Sequence, residues 1–323
     1  MNTEPELLST EFRALSARLG QDPLQVQGPG GNTSIKSDRV MWVKASGTEL
    51  ADAEAADIFV PVDLAQARAQ AHGAGDGSCK DTVIDPAITL RPSIETTFHA
   101  ALDCTVVAHT HSVATLAHAI SPQGREVLRR KLKGMPFESV PYAKPGLPLT
   151  QLILSKVTDE TRIVILENHG LICMGNTVAE VAGTIAEVEK RLALSPVIPD
   201  TQTPHSPALS GYVWADESWI AQNPRTATLA VSGSYYPDHV VFLGAGLPQS
   251  ASDPSTPVIL IKGEGILIRS DATPSQRAML RCLGDVLCRV PADWQIEPIG
   301  TEAEAALLNW DAEKYRQALA QRS

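Results

Sequence analysis

The sequence predicts an α/β protein built as a larger unit followed by a smaller one. Two observations carry this. At 323 residues the chain exceeds the roughly 100–200 residues of an ordinary single domain. Short apolar, strand-like runs alternate with stretches of helical periodicity until residues 195–207 (SPVIPDTQTPHSP), where four prolines in thirteen residues rule out a helix or a central strand. The expected division is residues 1–195, a linker at 196–207, and a smaller α/β unit at 208–323.

The opening segment, Glu4 to Leu19, places Leu7, Leu8, Phe12, Leu15 and Leu19 at helical spacing and stops at Gly20 with Pro23 beyond. A turn-rich element, Gly28 to Ser34, leads into short strands at 34–36 and 40–44, and the small polar stretch 71–80 reads as an exposed loop. After Pro92, residues 93–102 predict a helix containing Glu95, and 105–109 a strand entering a buried sheet. Residues 161–166 (TRIVIL) predict a second buried strand that runs into Glu167-Asn168-His169-Gly170. A long helix follows over 177–194, opened by the capping-box spacing Thr177-x-x-Glu180. Beyond the linker the expectations are a strand at 240–243 opened by His239, a hairpin around Gly263-Glu264-Gly265, and helices over 275–288 and 301–320.

Bulk properties exclude several classes. Hydrophobic residues at 43% and charged residues at 20% describe a chain that can bury a core, which excludes disorder. A net charge of −10, with no basic cluster beyond Arg129-Arg130-Lys131, argues against nucleic acid as a partner. No apolar run approaches the roughly 18 residues of a membrane span, and the acidic start lacks a signal pattern, so a cytoplasmic protein without a membrane partner is expected. The five cysteines show no C-x-x-C spacing and read as reduced core thiols.

The chemistry concentrates in four places. His109-Thr110-His111 ends an apolar strand, where alternate residues share a face, so both imidazoles can reach one ion. His169 closes a second buried strand, with Gly170 letting the chain turn away closely. Three imidazoles from two strand ends suit zinc with an open coordination position. Glu95, just before the histidine strand, can ligate a resting ion and act as general base once substrate displaces it, and His99 on the same helix face reads first as a satisfied structural histidine and second as its orienting partner. Gly28 to Ser34 reads either as a backbone nest for a phosphate or as an ordinary loop.

Taken together, Gly30-Gly31-Asn32-Thr33-Ser34, Lys44-Ala45-Ser46-Gly47-Thr48, Arg91-Pro92-Ser93-Ile94-Glu95, His109-Thr110-His111 and Glu167-Asn168-His169-Gly170-Leu171 occur in the order seen in the class II aldolase/adducin family. The chain resembles that family over roughly residues 5–195. Tyr236-Pro237-Asp238-His239 and Leu308-Asn309-Trp310-Asp311-Ala312-Glu313-Lys314-Tyr315 look like the C-terminal part of the aldolase half of bifunctional rhamnulose-1-phosphate aldolase/dehydrogenase proteins. The resemblance implies a three-layer α/β/α fold with a largely antiparallel central sheet. It implies that His109, His111 and His169 bind zinc, with manganese or iron as alternatives, and that Glu95 is the acid/base.

The same resemblance implies phosphate contacts from Asn32, Ser46, Gly47 and Ser93. One departure stands out: many family aldolases carry a second serine where Ile94 stands, and an isoleucine cannot hydrogen-bond a phosphate. Lys36, Lys44 or Arg91 are the cations placed to offset it, and Lys44 joins the expected set. Tyr142 is the nearest candidate for the family's aldehyde-handling tyrosine. The implied reaction is retro-aldol cleavage of a ketose phosphate to dihydroxyacetone phosphate and a small aldehyde, in a homo-oligomer, a tetramer ahead of a dimer. The alternatives are a sugar-phosphate epimerase or decarboxylase of the same family, where an epimerase usually has Asp at position 95, or a non-catalytic adducin-like interaction module.

Overall fold

The computed structural model of the protein describes residues 3–206, 208–250 and 256–320. Its first part runs α1 (Thr10–Gln21), β1 (Asn32–Lys36), β2 (Val40–Lys44), β3 (Phe59–Asp63), α2 (Leu64–Ala71), α3 (Thr96–Ala101) and β4 (Val106–Thr110). It continues through α4 (Val113–Ala119), α5 (Pro122–Lys131), β5 (Phe137–Val140), α6 (Leu147–Leu154), β6 (Ile163–Leu166), β7 (Gly170–Gly175) and α7 (Val178–Leu192). The second part holds β8 (Tyr212–Trp214), α8 (Trp219–Gln222), α9 (Pro224–Val231), α10 (Pro237–Leu243), β9 (Val258–Ile261), β10 (Gly265–Arg269), α11 (Pro274–Leu287), α12 (Thr301–Leu308) and α13 (Asp311–Ala320).

The seven strands of the first part form one sheet in the order β3-β2-β1-β4-β7-β6-β5. Every neighbouring pair is antiparallel except β5 with β6. Alternation along β4 shows why the sheet needs a helical layer on each face. Val106 and Ala108 pack with Phe12 and Leu15 of α1 and Val188 of α7. Val107 points the other way, to Phe98 of α3 and to Leu149 and Ile153 of α6. The result is the expected α/β/α sandwich. Local capping sharpens its helices: Ser9 accepts from the Phe12 amide at the start of α1, and the predicted Thr177/Glu180 capping box opens α7.

The second part is a small α/β unit around the antiparallel sheet β8-β10-β9, whose β9–β10 hairpin turns at 262–264 as the glycines predict. Its core runs across into the first part, since Val113, Leu116 and Ala117 of α4 and Ile120 at its end pack with Trp219, Tyr235, Phe242 and Leu283. Residues 195–206 carry no regular secondary structure and follow the second part, with the Val197 amide donating to the Cys288 carbonyl at 2.7 Å. Pro207, the last proline of the expected linker, lies outside the described residues. All five cysteines are buried and free. Among the described residues no helix is long and apolar enough to cross a membrane.

Three expectations are corrected. Residues 240–243 belong to helix α10, and His239 lies inside that helix instead of opening a strand. Pro237 in the first turn presets φ and Asp238 complements the helix N-terminus, while all seven residues of α10 are buried; the continuous apolar run reports burial on all sides, not extension. The helix expected over 301–320 is two helices, broken at Asn309 and Trp310, where the Trp310 ring lies under Lys144 at 4.5 Å. The helix expected over 93–102 begins only at Thr96, because Ser93 to Thr96 form a turn closed by the Thr96 amide on the Ser93 carbonyl at 3.1 Å. Glu95 is therefore the N-cap residue of α3, free of the helix's own side-chain geometry.

Candidate metal centre

His109 follows the parity of Val107 on β4, so its ring projects toward α3 and meets the Phe98 ring edge-on at 5.8 Å. Its Nδ1 hydrogen-bonds the Leu171 carbonyl at 3.0 Å across the β4–β7 pairing, which leaves Nε2 directed into the site. His169 sits in the three-residue turn between β6 and β7, where Asn168 adopts φ 56°, a left-handed conformation that asparagine tolerates. Gly170 follows because β7 starts against the end of β4: a Cβ there would lie 2.3 Å from the Thr110 carbonyl oxygen. This close approach brings the His169 ring to 4.9 Å from that of His109, with His111 5.0 Å from His109 and 5.5 Å from His169. One nitrogen from each of the three lies within 4.8 Å of the others, and all three residues are buried.

Glu95 closes the cluster. Its Oε2 stands 3.5 Å from His109 Nε2 and its Oε1 3.5 Å from His169 Nε2. Burial opposes ionisation of this carboxyl, but His109, His169 and the Asn32 amide outweigh it and hold its pKa down at about 2. Burial also pushes the pKa of His109 and His169 down, the direction that frees a ring lone pair for a metal ion. His109 Nε2 and Glu95 Oε1 are buried without a hydrogen-bond partner among the described residues, a cost that a cation between them would remove. Imidazoles, a carboxylate and orphaned atoms facing one point together fit a divalent ion.

The sequence model of the Class II Aldolase and Adducin N-terminal domain matches residues 11–195. The chain belongs to that family. It is 31% identical to the "Uncharacterized oxidoreductase YuxG" of Bacillus subtilis over 174 residues, an alignment covering 49% of this chain and only a quarter (25%) of that protein. Its structure is similar to that of the N-terminal class II aldolase domain of a conserved protein from Thermoplasma acidophilum, with TM-score 0.51 and 27% identity over 56% of this chain and 90% of that one. YgbL of Escherichia coli, titled a putative aldolase/epimerase/decarboxylase, aligns with TM-score 0.44 and 21% identity over 59% of this chain and 88% of its own.

Within this class II aldolase fold, the residues expected at the phosphate have other duties. Both amide hydrogens of Asn32 are taken, by Ser93 Oγ at 3.1 Å and Glu95 Oε2 at 2.9 Å. The His99 amide meets Glu95 at its backbone carbonyl, 3.4 Å away, while the ring bonds Asn32 Oδ1 through Nε2 and Ser34 Oγ through Nδ1 at 2.7 Å, so it orients the carboxylate through Asn32. Ser93 Oγ also accepts the Glu95 amide at 3.2 Å. Lys44 Nζ donates to the carbonyls of Pro29 and Thr48 at 3.0 and 2.6 Å, and burial pushes its pKa down to about 7. Ser46 and Gly47 line the same chamber beside Glu95 and His111. Lys36 is buried on the far side, bonded to the carbonyls of His99 and Leu102. Thr33 and Ser34 are inside β1, where Thr33 pairs with Ser16 at 2.7 Å, so 28–34 is no hydroxyl-lined nest.

Three site residues come from the second part and were missed in the sequence. Asp238 Oδ2 lies 3.3 Å from His111 Nδ1, so this carboxylate orients the third imidazole. Gly30 leaves room for that contact: a Cβ there would lie 2.8 Å from both atoms. Arg316 of α13 grips Asp238 with two bonds, 2.9 and 3.2 Å, and Glu313 with 2.9 and 3.2 Å. Glu313 and Arg316 are three residues apart, a spacing that in a sequence signifies a solvated helix pair; only their burial shows otherwise. Asn168 ties the histidine turn to the same part, donating to the carbonyls of Tyr235 and Glu297 at 3.1 and 2.8 Å.

Proposed function

We propose that this class II aldolase family member is a metal-dependent lyase that cleaves a ketose phosphate to dihydroxyacetone phosphate and a small aldehyde. The observation that carries the reading is the buried Glu95 carboxyl set 3.5 Å from a ring nitrogen of both His109 and His169, with His111 beside them. His109, His111 and His169 would hold a divalent ion, zinc first and manganese or iron after it, with Glu95 as a further ligand before substrate binds. When bound, such an ion supplies Lewis-acid stabilisation of the negative charge that develops on the substrate oxygens as the carbon–carbon bond breaks.

The chain's own residues do the rest. Glu95, fixed by Asn32 and desolvated, moves the proton at the carbon that becomes a carbanion equivalent after cleavage. His99 and Ser34 hold Asn32 in the one amide orientation that donates to Glu95. Asp238 and the Leu171 carbonyl fix the orientation of His111 and His109. The retained Glu at position 95 favours cleavage over epimerisation within the family, and the complete histidine set favours an enzyme over an interaction module. We also propose a homo-oligomer, a tetramer ahead of a dimer, which light scattering at low micromolar concentration tests.

The experiment is a product assay of metal-loaded protein against ketose-1-phosphates, with unphosphorylated ketoses alongside. The expected result is release of dihydroxyacetone phosphate that stops on addition of a chelator. Conversion of a sugar phosphate to its epimer, or release of carbon dioxide, would replace this reading with another family reaction.

A further inference from the structure

The chamber lined by Glu95, His111, Ser46 and Gly47 encloses about 20 Å³. That is room for about one water, whereas small-molecule sites run to roughly 300 Å³ or more. Its outer wall is helix α13. Leu319 covers the loop at Gly47, where a Cβ would meet Leu319 Cδ1 at 2.3 Å, and Arg316 lines the chamber itself. Beside it lies a second cavity of about 310 Å³ that shares Ser46 and Ile94 with the first and is lined by Arg91, Lys80, Trp310 and Tyr315. Consecutive residues, Tyr315 and Arg316, thus face the outer and inner spaces.

The attachment of α13 is unusual for a docked helix. Among its described residues the fully buried ones are Glu313 and Arg316, both charged, so α13 is held by ion pairs and by Tyr315 under Arg91 at 4.0 Å more than by buried apolar surface. Such contacts are exchangeable for another anion, which buried hydrocarbon is not. Among the expected phosphate contacts Asn32 is committed to Ser93 and Glu95, Lys44 gives two of its three protons to carbonyls and Ile94 has nothing to give, which leaves the Ser46 hydroxyl and the Gly47 amide, both neutral donors. Among the described residues, the cations lining the chamber are Lys44 and Arg316, and a guanidinium keeps its charge at any working pH.

We propose that Arg316 recognises the phosphate of the substrate: parked on Asp238 and Glu313 while α13 covers the chamber, it exchanges Glu313 for the phosphate when α13 moves aside and the two cavities merge. Asp238 stays bonded to Arg316 and keeps the guanidinium fork aimed into the chamber beside His111. This specificity role rests on the ketose-phosphate reading, and it reaches beyond it by placing recognition on the C-terminal helix.

The test uses dihydroxyacetone phosphate and dihydroxyacetone as paired probes, titrated calorimetrically into metal-loaded full-length protein. Wild type is expected to prefer the phosphorylated probe. Arg316→Gln should lose about 10–100-fold of that preference, read as the ratio of the two affinities, the scale of one charged hydrogen-bonded pair. Arg316→Lys should retain part of it. Should R316Q not fold, Glu313→Gln carries the test: it removes the competing carboxylate and should tighten dihydroxyacetone phosphate alone. Equal preference in wild type and R316Q, or an E313Q effect that is the same on both probes, overturns the assignment. Aldol cleavage with an unchanged R316Q preference would sink Arg316 and leave the proposed reaction standing; a phosphate preference that needs Arg316 without any cleavage would do the reverse.

Discussion

The two sides of the chamber are made by different means. On the metal side, His109 and His169 are set by strand parity and a hairpin turn of one continuous sheet, their rings buried and fixed to backbone carbonyls or close packing. On the opposite side, the loop at 44–47 faces a helix that arrives some 270 residues later in the chain, held through Arg316, Asp238 and Glu313. The first side resists rearrangement because moving a ligand means breaking sheet pairing; the second can move by exchanging ion-pair partners. On the proposed reading, a rigid metal face opposite an exchangeable anion face is a workable division for an enzyme that must hold charge still at one end of a substrate and admit it at the other.

Breaking the metal face should have the largest kinetic effect. Glu95→Gln is expected to keep the ion and lose turnover by about 10²-fold or more, the usual scale for a positioned acid/base, measured as kcat on the cleaved ketose phosphate. Near-normal turnover would remove Glu95 from proton transfer and erase the functional contrast between the faces. Asp238→Asn probes the joint between them. It should weaken metal binding about 10–100-fold, read by titration against a competing chelator, as expected when a histidine ligand loses its orienting carboxylate. An unaltered affinity would mean that Asp238 serves the helix alone.

The smallest expected effect is on stability. Burial pushes the pKa of Lys36 and Lys44 from 10.5 to about 7. Each group binds its proton more weakly in the folded chain than in the unfolded one, so between about pH 7 and 10.5 the unfolded state carries more protons and these residues make stability rise with pH. Below about pH 7 their contribution is flat. Lys36→Met should therefore show a shallower rise of the thermal midpoint between pH 7 and 9 than wild type; identical slopes would contradict the assignment.

How much was legible in the sequence follows the same division. That His109, His111, His169 and Glu95 come together was readable because strand alternation and an apolar run dictate where such side chains point, and the fold was readable from the order of motifs that resemble the family. The helical state of 237–243 was not, because a fully buried apolar run has no polar face to betray its period. Asp238, Glu313 and Arg316 were not legible as site residues because a carboxylate in a first helical turn and an acid–base pair three apart are ordinary surface chemistry until long-range packing buries them. The double commitment of Asn32 was hidden for the same reason: its partners, Ser93, Glu95 and His99, are 61 to 67 residues away.

The most direct test of the central claim is elemental analysis of the purified protein beside His109→Ala and His169→Ala. The account predicts about one divalent ion per chain in wild type, as three imidazoles and a carboxylate around one point require, and loss of that ion in both variants. A full complement of metal in both variants would contradict it.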